Sequence, residues 1–464
     1  MTEGSPNLFA WAALALFGPL MVVVFARLRP HAAAAWGMLG ATLFLPEVIG
    51  FDPPYLPSLD KLSLASMWVG LGCAWTSARR LRAGLSWGTL GLFGLMAAGQ
   101  IGTALTNPDA LVTGPVVRPA LSLYDGTTAV LKDALLVLAP FVLGRAMFRA
   151  EGERRELLRI LVVAALVYSA FALFELRMSP QSHRLAYGYH PASFEMTLRG
   201  GGYRPTIFMI TGLAVAMFFL AAAIISVVRA RTRSGRTATA LWLTAILVAC
   251  KSTGAIVYGL FILPVLALLR RPVFAIPMLL GALVFTYPVA RAAGVVPTRA
   301  ITDVFMNVSE ARALSLWFRF DNEDRLLARA LERPWFGWGS YGRQRVFDPR
   351  TGDDTTVTDG HWIIVVGERG AVGYVGAFGL LLAPLFSIFR ARRRFGSRAE
   401  SQLAFGVAMI VAASAVDLLP NGLFSTLPYF FSGVLAGAVP SARMAAPRRA
   451  TRGAVRAVAP AAVA

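Results

Sequence analysis

The sequence predicts an all-α integral membrane protein with about 13 transmembrane helices (about 12 to 14). Of its 464 residues, 56% are hydrophobic and 15% are charged, and the mean hydropathy is +0.60. Soluble domains carry roughly 25% charged residues. The apolar residues stand in runs of about 20, and short basic clusters separate these runs. That distribution argues against a nucleic-acid-binding protein despite the net charge of +20.

The apolar runs and their breaks predict the position of each span. The first run lacks the basic segment that opens a signal peptide, so we expect it to be retained as a span. The link at 251–253 is short, and one long kinked helix is an alternative to two spans there. The predicted spans are 7–26, 33–50, 62–78, 84–104, 127–144, 160–176, 205–228, 237–250, 254–269, 272–289, 371–389, 402–418 and 421–441.

Charge predicts the orientation of these spans. If the N-terminus is outside and the C-terminus is cytoplasmic, the inner segments contain 26 arginines. The short outer links contain only Lys61 and Lys251. Basic residues accumulate on the cytoplasmic side of membrane proteins, so every alternate loop favours this orientation.

The spans divide the chain into four regions. Residues 1–289 hold ten spans, and 361–441 hold the C-terminal spans. Between them, 290–360 form one large extracytoplasmic loop, in which we expect short amphipathic helices followed by an irregular polar run. A loop of this length is usually functional or disordered. The tail, 442–464, is basic and low in complexity, and we expect it to be unstructured in the cytoplasm.

The sequence has no phosphate loop, dinucleotide-binding glycine motif, GxSxG motif or metal-ligand cluster. His361 opens the helix after the large loop, beside Asp359. A lone histidine at a membrane interface is most often a polar anchor, but its pKa also suits it to accept a proton. Glu368 follows seven residues later and therefore on the same helix face. A carboxyl at this depth is expected to face the bundle interior or a wet cavity.

Four basic residues are candidates for binding an anion at the outer boundary. Arg204 follows three glycines, and a snorkelling role at a helix end is equally expected. Arg319 lies on an amphipathic segment, where a solvated surface role is the simpler interpretation. Arg325 and Arg329 share a helix face, and either could be the ligand-facing arginine instead.

Two lysines lie near the outer ends of spans. Lys251 either snorkels or points into a cavity with Ser252 and Thr253. Lys132 precedes Asp133, and adjacent helical residues do not face each other, so separate contacts are expected. Regularly spaced glycines predict close helix packing at 367, 370, 373, 376 and 379.

The order of these motifs resembles the O-antigen polymerase and O-antigen ligase superfamily, which are bacterial GT-C type membrane glycosyltransferases. The similarity is strongest from Arg319 to about Gly376, with P-x-x-G-x-G at 334–339, then His361 and E-x-G at 368–370. Arg204 and the break at 251–254 match in order. The family often has His-Asn where this chain has His361-Trp362. It often has Ser-Arg where this chain has Ser252-Thr253, so whether Lys251 replaces that arginine is left open.

The resemblance implies transfer of a glycan from an undecaprenyl-pyrophosphate-linked oligosaccharide donor to a glycan, lipid or protein acceptor. The reaction would take place on the outer face of the bacterial inner membrane, by a polymerase or a ligase. His361 would activate the acceptor hydroxyl, Arg204 and Arg319 would hold the pyrophosphate, and no metal or other cofactor would be needed. Membrane lipids and other glycan-assembly proteins are the expected neighbours. The alternatives are a transporter or flippase of a lipid-linked saccharide, and a structural scaffold.

Overall fold

The structure, a computed structural model, describes residues 3–199, 201–231, 236–269, 271–307 and 309–439. The predicted cytoplasmic tail, 442–464, lies outside these residues. The described chain is mostly helical, and its strands are only two or three residues long. Several helices begin at a side chain that accepts a hydrogen bond from the first turn: Asn7, Asp60, Ser86, Ser122, Thr211 and Ser397.

The first eleven helices come from the region where ten spans are predicted. They are α1 Leu8–Arg27, α2 Pro30–Phe44, α3 Lys61–Gly84, α4 Trp87–Thr106, α5 Leu123–Asp133, α6 Ala139–Met147, α7 Glu151–Met178, α8 Ser182–Tyr187, α9 Gly212–Ala230, α10 Thr237–Ala249 and α11 Thr253–Leu268. A π-helical turn, Ala134–Leu138, joins α5 to α6 without a break.

The remaining helices are α12 Ala275–Ala292, α13 Thr298–Met306, α14 Glu310–Leu331, α15 His361–Ala391, α16 Arg398–Asp417 and α17 Leu427–Ala438. Short 3-10 turns occupy Phe194–Thr197 and Arg392–Arg394. The strands form antiparallel pairs: β1 Glu3–Gly4 with β6 Tyr189–His190, β2 Gly50–Phe51 with β3 Leu59–Asp60, β4 Leu111–Thr113 with β5 Val116–Arg118, and β7 Leu198–Arg199 with β8 Gly202–Tyr203.

Eight helical segments of the described chain are long and apolar enough to cross a membrane, which is the architecture of a helical multi-pass membrane protein. Three more apolar helices, α10, α11 and α17, are shorter. The long segments are Leu8–Arg27, Trp87–Thr106, Leu123–Met147, Glu151–Met178, Gly212–Ala230, Ala275–Ala292, His361–Arg394 and Arg398–Asp417.

Three predicted spans are longer than the helices that form. Span 33–50 stops at Phe44, because Pro46 disfavours the helical conformation at the residue before it. Span 205–228 becomes helical only at Gly212, since the backbone around Thr206 is bonded to a buried side chain instead of to a helix. Span 421–441 becomes helical only at Leu427, beyond a Pro-Asn-Gly sequence that favours a turn.

The link at 251–253 separates two helices rather than kinking one. α10 ends at Ala249, and Lys251 takes a left-handed backbone conformation with φ 52°. Ser252 then precedes the first residue of α11. A left-handed residue cannot continue a right-handed helix, so the chain breaks here.

The helices pack closely through glycines, as their spacing predicts. On α15, Gly376 leaves room for the backbone of α4, because a Cβ there would lie 2.6 Å from the nitrogen of Met96. Gly373 lies against Gly99 of α4 in the same interface. In membranes, small residues of this kind allow two helix backbones to approach and gain van der Waals contact.

The 290–360 segment, called the outer loop because the charge pattern predicts it to be extracytoplasmic, holds α13 and α14 and then an irregular segment. α14 has 22 residues, so it is longer than the short helices predicted. The segment after it turns tightly, with positive φ at Gly337, Gly339 and Gly342. This turn bonds to α15 where Gly370 interrupts that helix, and Trp338 donates to the carbonyl of Gly367 at 2.8 Å. The outer loop is therefore fixed on the start of α15.

Replacing Gly376 by alanine is predicted to separate α4 from α15 and to lower the thermal unfolding midpoint of the detergent-purified protein. The added methyl meets backbone atoms that cannot rotate away, and overpacking of this kind costs about 1–3 kcal/mol. Gly91→Ala on α4 is the matched control, because a Cβ there meets open space. Equal midpoints for the two variants would contradict the packing described.

Candidate anion-binding cleft

A cleft of about 790 Å³ opens at one end of the helix bundle. Its walls are formed by helix ends and a non-helical segment. These are the N-terminal ends of α9, α11 and α15, and the segment after α16. Residues 190–199 cover one side, and Arg319 of α14 reaches it from the outer loop. The cleft therefore brings together segments more than 200 residues apart in the sequence.

A buried carboxylate positions the segment that leads into the cleft. Glu175, near the end of α7, is fully buried. Its two oxygens accept hydrogen bonds from the backbone nitrogens of Ser182, Thr206 and Ile207, at 2.9, 2.8 and 2.8 Å. A second buried charge acts on the same segment, since Lys61 donates to the carbonyl of Phe208 at 3.2 Å. These bonds hold an irregular backbone in place of the helix predicted there.

Arg204 lies directly before this anchored segment and lines the cleft. Its Nη2 donates to Ser252 Oγ at 3.1 Å, and its Nε is buried without a hydrogen-bond partner among the described residues. Burial, together with the nearby charge of Arg199, lowers the pKa of the Arg204 guanidinium. Arginine remains protonated even so. A buried cationic nitrogen with unused hydrogen-bonding capacity is suited to an anionic ligand.

Lys251 lines the same cleft from the break between α10 and α11. Its Nζ lies 3.5 Å from the carbonyl oxygen of Arg199, and the backbone of Gly202 lies close beneath it. A left-handed conformation costs a lysine roughly 1–2 kcal/mol. The break thus keeps a cation at the cleft at the expense of a continuous helix.

Like Arg199, Arg319 also lines the cleft. Its Nη1 donates to the carbonyl oxygen of Pro420 at 2.8 Å, and its Nε lies 3.6 Å from Asp359 Oδ2. The arginine and the carboxylate are both part-exposed, so this pair is a weak one. Arg204, Lys251 and Arg319 are therefore brought together.

His361 is the first residue of α15, as predicted, but its ring is not part of the cleft lining. The ring is 8% exposed and lies near Phe378 and Phe424, with centroids 6.2 and 5.5 Å away. Its backbone nitrogen donates to the carbonyls of Leu418 and Asn421. Asp359, two residues earlier, does line the cleft.

The other predicted site residues lie elsewhere. Glu368 accepts a hydrogen bond from Gln344 Nε2 at 3.4 Å, outside the cleft lining. Asp133 pairs with Arg369 at 3.0 Å, whereas Lys132 is exposed and interacts electrostatically with Glu368. The expectation that Lys132 and Asp133 make separate contacts is consistent with this arrangement.

Arg325 and Arg329 belong to a separate cavity of about 490 Å³ on the outer loop. Arg325 donates to the carbonyl and hydroxyl of Thr355, at 2.8 and 2.6 Å. Arg329 pairs with Glu332 and stacks on Trp338 at 3.3 Å. Both arginines are thus committed to contacts within the loop.

The sequence argument missed a polar pair behind the cleft. Asp417, at the end of α16, is 7% exposed and accepts a hydrogen bond from Asn421 Nδ2 at 2.9 Å. It also interacts with the hydroxyl of Tyr258, which lines the cleft. The available signal was a single carboxyl in an otherwise apolar span, which usually marks a functional position.

The fold and the cleft define a helical multi-pass membrane protein with a cleft lined by several basic side chains at one end. No protein-family model matches the sequence, and no curated protein matches it either. Among the described residues, no group of three or more His, Cys, Asp and Glu side chains could hold a metal ion.

Glu175→Gln is predicted to lower the thermal unfolding midpoint of the purified protein. The amide offers one acceptor oxygen instead of two, so at least one buried backbone N–H loses its partner, at a cost of about 1–3 kcal/mol. Glu332→Gln is the control, because that carboxylate is 54% exposed and its ion pair is a surface one. An unchanged midpoint for Glu175→Gln would show that this carboxylate does not hold the segment.

Proposed function

We propose that this protein transfers a glycan from an undecaprenyl-pyrophosphate-linked donor to an acceptor hydroxyl, as a polymerase or a ligase. In this proposal about 13 helical segments cross the bacterial inner membrane, with the N-terminus outside and the C-terminus in the cytoplasm. The charge distribution of the loops then puts the cleft on the outer face.

One observation carries the proposal: Arg204, Lys251 and Arg319 line a single cleft although they come from three distant segments. The described lining also includes Arg199 and two carboxylates, Glu195 and Asp359, so its four arginine and lysine side chains outnumber its acidic ones. Guanidinium groups match the oxygens of a phosphate and form charge-assisted hydrogen bonds with them. A pyrophosphate at the membrane boundary is such an anion.

The cations would act on the leaving group. The acceptor oxygen attacks the anomeric carbon of the donor sugar, and the bond from that carbon to the pyrophosphate oxygen breaks. Negative charge then grows on the lipid pyrophosphate, where fixed positive groups stabilise it more than they stabilise the donor. Arg204 is suited to this role because its buried Nε lacks a partner among the described residues.

The acceptor hydroxyl must lose its proton during transfer. The resemblance assigns this proton to His361, whose side chain is buried and is not part of the cleft lining. The Asp359 carboxylate lines the cleft itself and is a second group that could accept the proton. The variants His361→Ala and Asp359→Asn distinguish these two roles. The variant that removes the proton acceptor should lose turnover with the donor bound, whereas the other variant should keep it.

A transporter of a lipid-linked saccharide is the second candidate. It is favoured by the buried pair of Asp133 and Arg369, which lies beside the π-helical turn and the interruption at Gly370. Transporters place charged groups at discontinuous helices in this way. The pair is satisfied internally, with Gln100 donating to Asp133 at 2.9 Å, and it does not line the cleft. The transferase is therefore the better supported function.

Arg204→Gln and Arg319→Gln are each predicted to reduce glycan transfer by about 100-fold or more, the typical effect of removing one group that stabilises transition-state charge. The measurement uses protein reconstituted in vesicles with an undecaprenyl-pyrophosphate oligosaccharide and follows the released lipid pyrophosphate. Arg204→Lys should retain part of the activity, because it keeps the charge but loses the planar donor geometry.

Arg325→Gln is the matched control, since this arginine belongs to the same helix as Arg319 but lines the other cavity. Its activity should stay within a few-fold of the unchanged protein. Full activity of both Arg204→Gln and Arg319→Gln would contradict the proposed site. Lipid translocation without any transfer would favour the transporter.

A further inference from the structure

α14 has one side that packs against the protein and another that does not. The packed side is buried and keeps the spacing of a single helix face, with Glu323, Leu326, Leu327 and Ala330. Leu314 precedes Glu323 by nine residues, which is two and a half turns of about 3.6 residues each. Leu314 therefore lies on the side of α14 that points away from the protein.

This outward side carries an exposed apolar patch. Leu314, Trp317 and Phe318 have the spacing of one helix face, and they are 51%, 55% and 47% exposed. We call these three residues the α14 patch. α13, which packs against α14, ends in three more exposed apolar residues, Val304, Phe305 and Met306. Neighbouring exposed apolar side chains of this size mark a surface that contacts a partner or a membrane.

Ion pairs hold the middle of α14 at the end of a membrane-spanning helix. Arg291 lies in the last turn of α12, which is one of the segments long and apolar enough to cross a membrane. Arg291 is buried, and its guanidinium pairs with Glu323 at 3.3 Å and with Asp324 at 2.8 Å. It also donates to the carbonyl oxygen of Phe320 at 3.3 Å. The residues that follow the α14 patch are thus fixed where α12 reaches the membrane boundary.

Two further features favour the bilayer as the surface that covers the patch. α12, to which α14 is bonded, has the exposed apolar side chains of a helix that faces lipid, since Leu279, Leu283 and Val289 are more than half exposed. Charged residues flank the patch along α14, with Glu310 before it and Asp321 after it. Apolar residues bordered by charged ones are typical of a helix lying along the membrane boundary. Tryptophan is enriched at the same level.

We propose that the α14 patch is embedded in the boundary of the bilayer and docks the segment 290–360 on the membrane. Leu314, Trp317 and Phe318 contact lipid, while the opposite side of α14 packs on the protein. Arg319 follows Phe318 directly and lines the cleft, so this contact also sets the depth of the cleft relative to the lipid headgroups. The membrane contact does not depend on the proposed transfer reaction.

Spin labelling of the full-length protein tests this contact in vesicles of phosphatidylethanolamine and phosphatidylglycerol. A nitroxide is attached to Leu314→Cys or to Phe318→Cys, one position at a time, so the two labels are independent tests. Both side chains are exposed, and the packed side of α14 stays unchanged. The native cysteines, Cys73 and Cys250, are buried, and the unchanged protein measures any labelling of them.

The relaxation of each nitroxide by oxygen is compared with its relaxation by a water-soluble nickel complex. Oxygen concentrates in the apolar part of a bilayer, whereas the nickel complex is excluded from it. We expect the ratio of oxygen to nickel accessibility at both patch positions to be several-fold higher than at a water-facing position. It should approach the ratio at Leu283→Cys on α12.

Ala328→Cys is the matched water-facing control. Ala328 is exposed and lies 14 residues after Leu314, about four turns or 21 Å along the outward side of the same helix. It lines the cavity of Arg325. The nickel complex should reach this label readily.

Two outcomes would overturn the inference. A ratio at either patch position as low as at Ala328→Cys would show that the patch lies in water. Low accessibility to both reagents at the patch would show that protein covers it, as in a contact with a second copy of this chain.

Discussion

The buried carboxylate of Glu175 is the interaction on which the arrangement of the cleft depends. It accepts backbone hydrogen bonds from Ser182, the first residue of α8, and from Thr206 and Ile207, which lie outside any helix. Without it, these backbone donors would lack partners, and each such buried group costs about 1–3 kcal/mol. Arg204 lies two residues before Thr206, so the Glu175 carboxylate of α7 fixes the backbone next to it.

Non-helical backbone supplies cleft residues elsewhere in the bundle as well. Irregular backbone at membrane depth is tolerated only where protein or a wet cavity satisfies it, and the cleft is built from such places. The break at Lys251 and the segment after Asp417 each supply cleft residues. The helices themselves pack through small residues such as Gly376.

The sequence predicted a mostly helical membrane protein, because apolar runs of membrane length have few alternatives in lipid. It predicted from local rules alone that Lys132 and Asp133 do not pair with each other and that α15 begins at His361. The first residue of each span was harder to predict. The start of α9, for example, depends on Glu175, which is distant from it in the sequence. Burial of the His361 ring and the placement of Arg325 in another cavity are likewise set by tertiary contacts. The sequence shows Asp417 as a carboxyl in an apolar span, but it does not predict which side chains contact it.

The most direct test of the central claim is to locate the lipid donor on the protein. An undecaprenyl pyrophosphate analogue with a photoreactive group next to its pyrophosphate would be crosslinked in vesicles and mapped by peptide mass spectrometry. The account predicts label in the segments around 204–212, 251–258 and 420–423, competed by unlabelled undecaprenyl pyrophosphate. Competed label confined to the cavity of Arg325, or to the opposite end of the bundle, would contradict it.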